Sequence, residues 1–326
     1  MNNQPISRRT ALAIGGLSAV SAQVTAVRSQ ATERPVFRRG MTFLASEIGR
    51  SVSTEEVIDF TRACQIDFVV FDLAWVTYHW PRTDSKQVDR LCRQLQSENV
   101  LTAVMYRPRV LRPVEADVRL ARLGDGSIAP SHNELCFSNA DSRQWGAQWG
   151  TRTLSAIHHC ELIVLYNLRP VCQCELCRGR AAVKQIAQFL RQCRSDWQRI
   201  RPAAQVGHVG VGGQYADDVD VLCPFLAINR FSNGTPAATP GPEQIYKLKA
   251  QHANKLFAPL LKTYWASQTQ NSTEDIAGAI RTCLDRQLGF VLWYYDWLFR
   301  SADGRYDREA IVSAMGGDWK RIRRHY

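Results

Sequence analysis

Short apolar segments alternate with amphipathic segments along most of the chain. The apolar segments are nearly continuous and rich in β-branched and aromatic residues, as in 68–71 and 162–166. Such runs predict strands that are buried on both faces, as the strands of parallel sheets are. The segments between them place apolar residues at helical spacing, as Val88, Leu91 and Leu95 are. The pattern therefore predicts strands and helices in alternation.

Eight predicted strands follow one another at 41–45, 68–71, 101–106, 162–166, 206–211, 221–228, 256–264 and 290–295. Most are followed by a helix, and the first helix begins with a capping box, Ser53 being the N-cap and Glu56 its partner. Only the connection after Val211 is too short for a good helix. Eight such units predict an α/β protein with a single domain, a closed (β/α)8 TIM-type barrel. An open doubly wound sheet is the alternative, but the loop after the first strand lacks the G-x-G-x-x-G sequence that would favour it.

The N-terminus has the features of an export signal. Ser7-Arg8-Arg9 precedes a short, weakly apolar run that ends in Val20-Ser21-Ala22. Paired arginines, a modest apolar segment and small terminal residues are typical of twin-arginine signals. We therefore predict a signal peptide and linker over 1–34 and the barrel over 35–326. The expected location is periplasmic or extracellular and the expected partner is the twin-arginine export machinery. No stable membrane span is predicted, because no segment reaches the ~18 apolar residues required.

Composition narrows the class of partner. The chain of 326 residues is 45% hydrophobic and 22% charged, ordinary values for a globular protein, which excludes a disordered or fibrous chain. Its 41 Lys and Arg against 30 Asp and Glu give a net charge of +11, which favours an anionic partner. Nucleic acid is the least favoured anion, because the basic residues are scattered and export separates the protein from it.

The cysteines carry the strongest local signal. The chain has ten, and Cys172, Cys174 and Cys177 lie within six residues. Three thiols this close cannot all pair with one another, but they can share a zinc ion, which binds four thiolates in a tetrahedron. Cys136, in the preceding strand-to-helix loop, is the expected fourth ligand; His132 and His158 are weaker candidates. A structural zinc is the favoured interpretation, and a disulfide with a free thiol or a redox-reactive cysteine are the alternatives.

One stretch of the chain resembles a known group of proteins. The order is Leu135-Cys136-Phe137-Ser138-Asn139, a helix with aromatic residues, the strand 163–167, and then Cys172-x-Cys174-x-x-Cys177. It resembles secreted bacterial glycoside-hydrolase-like barrels, distantly similar to β-galactosidase-type (β/α)8 domains. The resemblance is specific over 135–177 and implies a carbohydrate ligand and a sugar-sized cleft. This chain has Tyr166 where that group tends to carry Asp, so the usual acid/base is in doubt.

Candidate catalytic residues follow the strands. Active sites of barrels form at the carboxyl ends of the strands, and glycoside hydrolysis requires two carboxylates. Glu47, Asp72 and Asp296 follow the first, second and eighth strands, which adjoin in a closed barrel. The other strand ends predict the substrate contacts Tyr106, Arg107, Asn167, His208, Arg230 and Trp265. Their alternative roles are structural: a carboxylate that pairs with an arginine, or a histidine that packs in the core.

Three functions compete on these grounds. The first is an exported glycoside-hydrolase-like barrel that acts on polysaccharide, with an anionic polysaccharide favoured because Arg107 and Arg230 can bind sulfate or carboxylate in two-point contacts. The second is a non-catalytic glycan-binding barrel that has lost the acid of the fourth strand. The third is a cysteine-based redox protein, which the tight C-x-C-x-x-C spacing disfavours.

Overall fold

The computed structural model describes residues 39–109, 119–128, 134–166, 168, 170–178, 182–210, 213–226, 228, 241–263, 271–300 and 304–326. These belong to a unit that spans Val36–Tyr326. The predicted export segment lies outside the described residues, as do three predicted substrate contacts, Asn167, Arg230 and Trp265, and the alternative ligand His132. No helix within the described ranges combines the length and the apolar character that a membrane crossing requires.

Parallel strands form a closed barrel. They are β1 Gly40–Leu44, β2 Phe68–Trp75, β3 Leu101–Arg107, β4 Leu162–Tyr166, β5 Gln205–Gly210, β6 Val221–Leu226, β7 in the two segments Leu256–Phe257 and Leu260–Lys262, and β8 Val291–Trp293. Each strand pairs with the next, and β8 also pairs with β1, so that Gly40 lies beside Val291 and Met41 beside Leu292. The predicted (β/α)8 barrel is thus confirmed, and the open sheet is wrong because the pairings run from β1 to β8 in turn and back to β1, which leaves no edge strand.

Helices surround the barrel. They are α1 Thr54–Ala63, α2 Val76–His79, α3 Ser85–Ser97, α4 Ala140–Ala156, α5 Ala182–Ile200, α6 Pro242–Gln251, α7 Thr273–Asp285, α8 Tyr295–Phe299, α9 Arg308–Ala314 and α10 Trp319–Ile322. Only the short 3-10 helix Ala216–Asp218 follows β5 within the described residues, as the short connection predicts. Ser53 caps α1 by accepting a hydrogen bond from the Glu56 backbone, but the Glu56 carboxylate binds Arg300 and Tyr295 instead of completing the capping box.

Two apolar layers are separated by the strands. Successive side chains of a strand point to opposite faces, so residues such as Val70, Met105 and Val164 fill the barrel interior. Their sequence neighbours, such as Phe71 and Leu165, pack between the strands and the helices. This alternation decides which residues near the strand ends can face the mouth of the barrel.

Two helical glycines differ in the space around them, which gives a test of the outer layer. A Cβ at Gly150 in α4 would lie 2.1 Å from Cζ2 of Trp197, a fully buried side chain of α5, whereas a Cβ at Gly278 in α7 would meet nothing within 4 Å. We expect Gly150→Ala to destabilise the protein by about 1–3 kcal/mol through overpacking. Gly278→Ala, the matched control, should stabilise it by about 0.5–1 kcal/mol through helix propensity. Urea unfolding of both variants measures the difference, and equal effects would contradict this packing.

Candidate active site and cysteine cluster

The three predicted carboxylates lie around Leu44, the last residue of β1. Asp72 of β2 is the register partner of Leu44. Glu47 ends the 3-10 helix that follows β1, and Ser51 donates a hydrogen bond of 2.6 Å to its Oε2. Asp296 lies close enough to the Leu44 backbone and to Glu47 for both to act on its charge. The carboxyl ends of β1, β2 and β8 therefore place Asp72 beside the end of β1 and Asp296 close to Leu44 and Glu47.

Asp72 is enclosed and strongly hydrogen-bonded. It is only 2% exposed. Its Oδ2 accepts hydrogen bonds from the Tyr294 hydroxyl and, at 3.4 Å, from Trp293 Nε1. Burial raises the pKa of Tyr294 well above its ordinary value and the neighbouring Asp72 raises it further, so the phenol keeps its proton and remains a donor. Asp72 is thereby held in one orientation. The strand continues beyond it to Trp75 with a shift in register, so Asp72 does not end β2 as predicted.

Asp296 is a carboxyl group in an environment that opposes its charge. Its Oδ2 is buried and has no hydrogen-bond partner among the described residues. Burial raises the pKa of Asp296 to about 6, the Leu44 backbone lowers it, Glu47 raises it and Arg300 lowers it. The residue lies in α8 rather than at the strand end. Glu56 anchors this helix, because it accepts hydrogen bonds from Tyr295 (2.7 Å) and from Nε of Arg300 (3.0 Å). A carboxyl group that holds its proton near pH 6 is suited to general acid catalysis.

A histidine that the sequence reasoning missed lies beside these carboxylates. His79 ends α2, and its Nδ1 lies 3.1 Å from the hydroxyl of Ser46, in the 3-10 helix after β1. Burial lowers the pKa of His79 below its ordinary 6.5; Asp72 and Glu47 oppose this shift, and Arg82 reinforces it. The prediction considered only the residues at the strand ends. Polar residues in the first turn after each strand, such as Ser46 and His79, are the sequence feature that would have pointed to this histidine.

A cation on an aromatic surface forms the other side of the mouth. Cζ of Arg107 lies 3.7 Å from the ring centroid of Tyr166 and 5.8 Å from that of Trp293. The two rings are themselves 4.9 Å apart. Such stacking orients the guanidinium group while leaving its charge available. Among the described residues, no carboxylate forms an ion pair with Arg107. The predicted contact Arg107 therefore lies where it can meet an anionic group.

Two other predicted contacts lie outside the mouth. Tyr106 precedes Arg107 and so points to the opposite face of β3, where its hydroxyl donates a hydrogen bond of 2.9 Å to the carbonyl oxygen of Gly146. His208 likewise points out of the barrel, and its ring lies edge-on to Tyr215, with centroids 4.9 Å apart. Burial lowers the pKa of His208 to about 3, so it is neutral. Both side chains belong to the packing between barrel and helices.

Four cysteines converge on the loops that follow β3 and β4. The sulfur atoms of Cys136, Cys172, Cys174 and Cys177 all lie within 4.8 Å of one another. Cys136 Sγ lies 3.5 Å from Cys174 Sγ and 3.6 Å from Cys177 Sγ. A tetrahedral zinc with bonds of about 2.3 Å separates its sulfurs by about 3.8 Å, whereas a disulfide requires about 2.05 Å. All ten cysteines are free thiols, so the cluster fits a metal and contains no disulfide.

Donors around the sulfur atoms are those that metal thiolates use. The backbone N–H of Arg122 donates to Cys172 Sγ at 3.4 Å. The Cys177 thiol donates to Ser138 Oγ at 3.1 Å, and the Ser138 hydroxyl can donate in return to a thiolate. Hydrogen bonds of this kind orient ligands and stabilise the negative charge on sulfur. Four protein ligands leave no open coordination position, which is the arrangement of a structural rather than a catalytic site.

Comparison with known proteins identifies the fold. No protein-family model and no curated protein matches the sequence. A β-galactosidase from the psychrophilic Marinomonas ef1 matches with a TM-score of 0.61 and 10% identity over 85% of this chain, which spans only 58% of that protein's length. The endo-1,4-β-mannanase from Rhizomucor miehei matches with a TM-score of 0.56 and 9% identity over 91% of this chain and 96% of that one. A GH30 endoxylanase from Clostridium papyrosolvens C71 matches with a TM-score of 0.53 and 12% identity over 86% of this chain and 71% of that one. The chain therefore has the fold of glycoside hydrolase barrels.

Proposed function

We propose that this chain is a glycoside-hydrolase-like barrel that hydrolyses a polysaccharide at the mouth around Leu44. The observation that carries the proposal is Asp296, a carboxyl group near Glu47 whose pKa burial raises to about 6. In its protonated form Asp296 donates a proton to the leaving oxygen. Glu47 and Asp72 supply the negative charge that stabilises the oxocarbenium-like transition state. The fold shared with a β-galactosidase, a mannanase and an endoxylanase supports a carbohydrate substrate.

The proposed polysaccharide carries carboxylate or sulfate groups. Arg107 presents its guanidinium group at the mouth without a carboxylate partner among the described residues, and the whole chain has a net charge of +11. A guanidinium group binds carboxylate and sulfate through paired hydrogen bonds. The buried rings of Tyr166 and Trp293 hold this guanidinium group in place.

A second candidate function is glycan binding without hydrolysis. Its support is that β4 ends in Tyr166, on whose ring Arg107 lies at 3.7 Å, so an aromatic–cation stack is found where the resembling barrels carry an acid. Asp72 is also enclosed by Tyr294 and Trp293. In this alternative the mouth still binds sugar but no longer catalyses hydrolysis of the glycosidic bond.

The two functions differ in the release of reducing ends from anionic and neutral polysaccharides. If hydrolysis is the function, Asp296→Asn should lower kcat by about 10²–10⁴-fold while glycan binding persists. The wild-type rate should fall as pH rises through about 6, because the acid form of Asp296 is lost there. Asp285→Asn, an exposed carboxylate at the end of α7, is the matched control and should leave the rate unchanged. Binding by both forms with no hydrolysis by either would instead identify a glycan-binding barrel.

We infer that Cys136, Cys172, Cys174 and Cys177 hold one structural zinc ion. The mutual distances of the four sulfurs and the surrounding donors support this ligand set. The ion would join the loop after β3 to the loop after β4. A redox role for the cysteines is the rival, and it requires thiols that remain free for exchange.

Metal analysis separates these roles. Protein purified without chelator should contain about one zinc per chain, and chelation should lower its thermal stability, because the ligands are brought together by folding. Cys136→Ala should lose the metal. Cys283→Ala, which removes a buried thiol of α7 away from the cluster, should retain it. A folded wild-type protein that is free of zinc and indifferent to chelators would contradict the metal site.

We further propose that residues 1–34 direct export of the folded protein through the twin-arginine pathway. The support is Ser7-Arg8-Arg9 before a weakly apolar segment. Export after folding also suits a metal site that is assembled before the protein leaves the cytoplasm.

A lysine substitution tests this pathway while keeping the charge. Arg8→Lys combined with Arg9→Lys should retain the precursor in the cytoplasm, because the signal depends on the arginine pair. The chain offers a matched control in its second arginine pair, Arg38 and Arg39. Substitution of that pair by lysine should leave export unchanged. Cell fractionation measures both, and undiminished export of the Arg8 and Arg9 variant would contradict the proposal.

A further inference from the structure

His79 is a titratable group at the mouth to which the proposed reaction assigns no part. Its Nδ1 is engaged by the hydroxyl of Ser46 at 3.1 Å, and Ser46 itself is only 3% exposed. Within the described part of the chain, no hydrogen bond involves the other ring nitrogen, Nε2, and the side chain is partly exposed. The ring is therefore held at one nitrogen and has the other available for a ligand.

The environment of His79 favours an imidazole that is neutral at rest and that nearby carboxylates can stabilise when it is protonated. Asp72 and Glu47 act on it with negative charge and Arg82 with positive charge. The ring of Tyr78 contributes an uncharged edge contact, with centroids 4.9 Å apart. Burial lowers the pKa of His79, so the imidazole is neutral at neutral pH. The two carboxylates stabilise the imidazolium form when it arises.

Asp72 is less suited to contact a water molecule. Its side chain is 2% exposed, and its Oδ2 already accepts hydrogen bonds from Tyr294 and Trp293. His79 is more exposed and lies close enough to Asp72 and Glu47 for both to act on its charge. With the imidazole proton on Nδ1 and donated to Ser46 Oγ, Nε2 is an acceptor that has no hydrogen bond within the described part of the chain.

We propose that His79 is a further catalytic residue of this site, the general base that accepts a proton from the attacking water while Ser46 orients its ring. The proposal rests on the proposed hydrolysis. In the step, Asp296 gives its proton to the leaving oxygen as the glycosidic bond breaks. The water oxygen bonds to the sugar carbon, and the water proton passes to Nε2. The imidazolium ion then loses this proton to solvent and Asp296 regains one, so the site returns to its initial state.

Kinetics of His79 variants test this role. Asn at position 79 retains an amide near Ser46 but lacks Nε2, so His79→Asn should lower kcat by about 10²–10⁴-fold with little change in KM. The wild-type rate should also fall at low pH, where His79 is protonated, and this acidic limb should vanish in the variant. Added imidazole should restore part of the rate of His79→Ala, which a merely structural role would not allow. His159→Asn, at a histidine held by Asp89 at 3.1 Å, is the matched control.

The outcomes separate the two claims. If the wild type hydrolyses a polysaccharide and Asp296→Asn does not, but His79→Asn keeps kcat within twofold and retains both limbs of the pH profile, the role of His79 is overturned and the function stands. If the wild type hydrolyses none, the proposed function fails and the catalytic role fails with it. NMR titration measures the pKa of His79 directly. This pKa should fall in Glu47→Gln and in Asp72→Asn, because each variant loses a carboxylate that stabilises the imidazolium form. An unchanged pKa would contradict that stabilisation.

Discussion

Closure of the barrel depends on β1, which pairs with β2 on one side and with β8 on the other. This double pairing places Leu44 next to Asp72 and near the beginning of α8, which carries Asp296. If β1 and β8 did not pair, they would be the edges of a sheet with the strand order β1 to β8, and these carboxylates would be far apart. The candidate chemistry is therefore a consequence of closure, since Trp293 of β8 and Tyr294 reach Asp72, and Asp296 reaches the Leu44 backbone, only because β1 pairs with β8.

Burial of carboxyl groups near the pairing of β1 with β8 removes their hydration, which costs free energy. The protein offsets this cost to a different extent for each carboxyl group. Asp72 is compensated by the donors Tyr294 and Trp293. Glu56 is compensated by Tyr295 and Arg300. Asp296 has no such partner on its Oδ2 among the described residues, and its pKa is accordingly raised to about 6. Because an isolated buried charge is unfavourable, the uncompensated carboxyl is the one that can exchange a proton near neutral pH.

The sequence was sufficient for the barrel and for the cysteine cluster, because both leave local signals. Continuous apolar runs indicate buried parallel strands, and the spacing of Cys172, Cys174 and Cys177 indicates a shared ligand. It was insufficient where the direction of a side chain mattered. Tyr106 and Arg107 are adjacent. Because side chains alternate along a strand, Tyr106 points outward to Gly146 and Arg107 points to the mouth, and the sequence does not show which residue takes which face.

His79 and Asp296 show a second limit. Both belong to short helices that follow strands, but only Asp296 directly follows a predicted strand, and only Asp296 was a candidate from the sequence. Their importance arises from burial and from contacts with residues distant in sequence, such as Ser46 and Glu47. Such contacts depend on how the loops fold over the barrel, which hydrophobic periodicity does not encode.

The mouth has two sides with different chemistry, and Trp293 connects them. On the side of β8, β1 and β2 are the groups that can exchange protons, whereas on the side of β3 and β4 are Arg107 and Tyr166. Trp293 donates to Asp72 at 3.4 Å and lies 4.9 Å from the Tyr166 ring. The cysteine cluster lies on the loops that follow β3 and β4, so the metal proposed there would fix the side proposed to bind anionic sugar and not the side proposed to transfer protons. Separation of this kind lets one side be rigid while the other retains a carboxyl group whose pKa is raised to about 6, a shift that a neighbouring metal ion would have reversed.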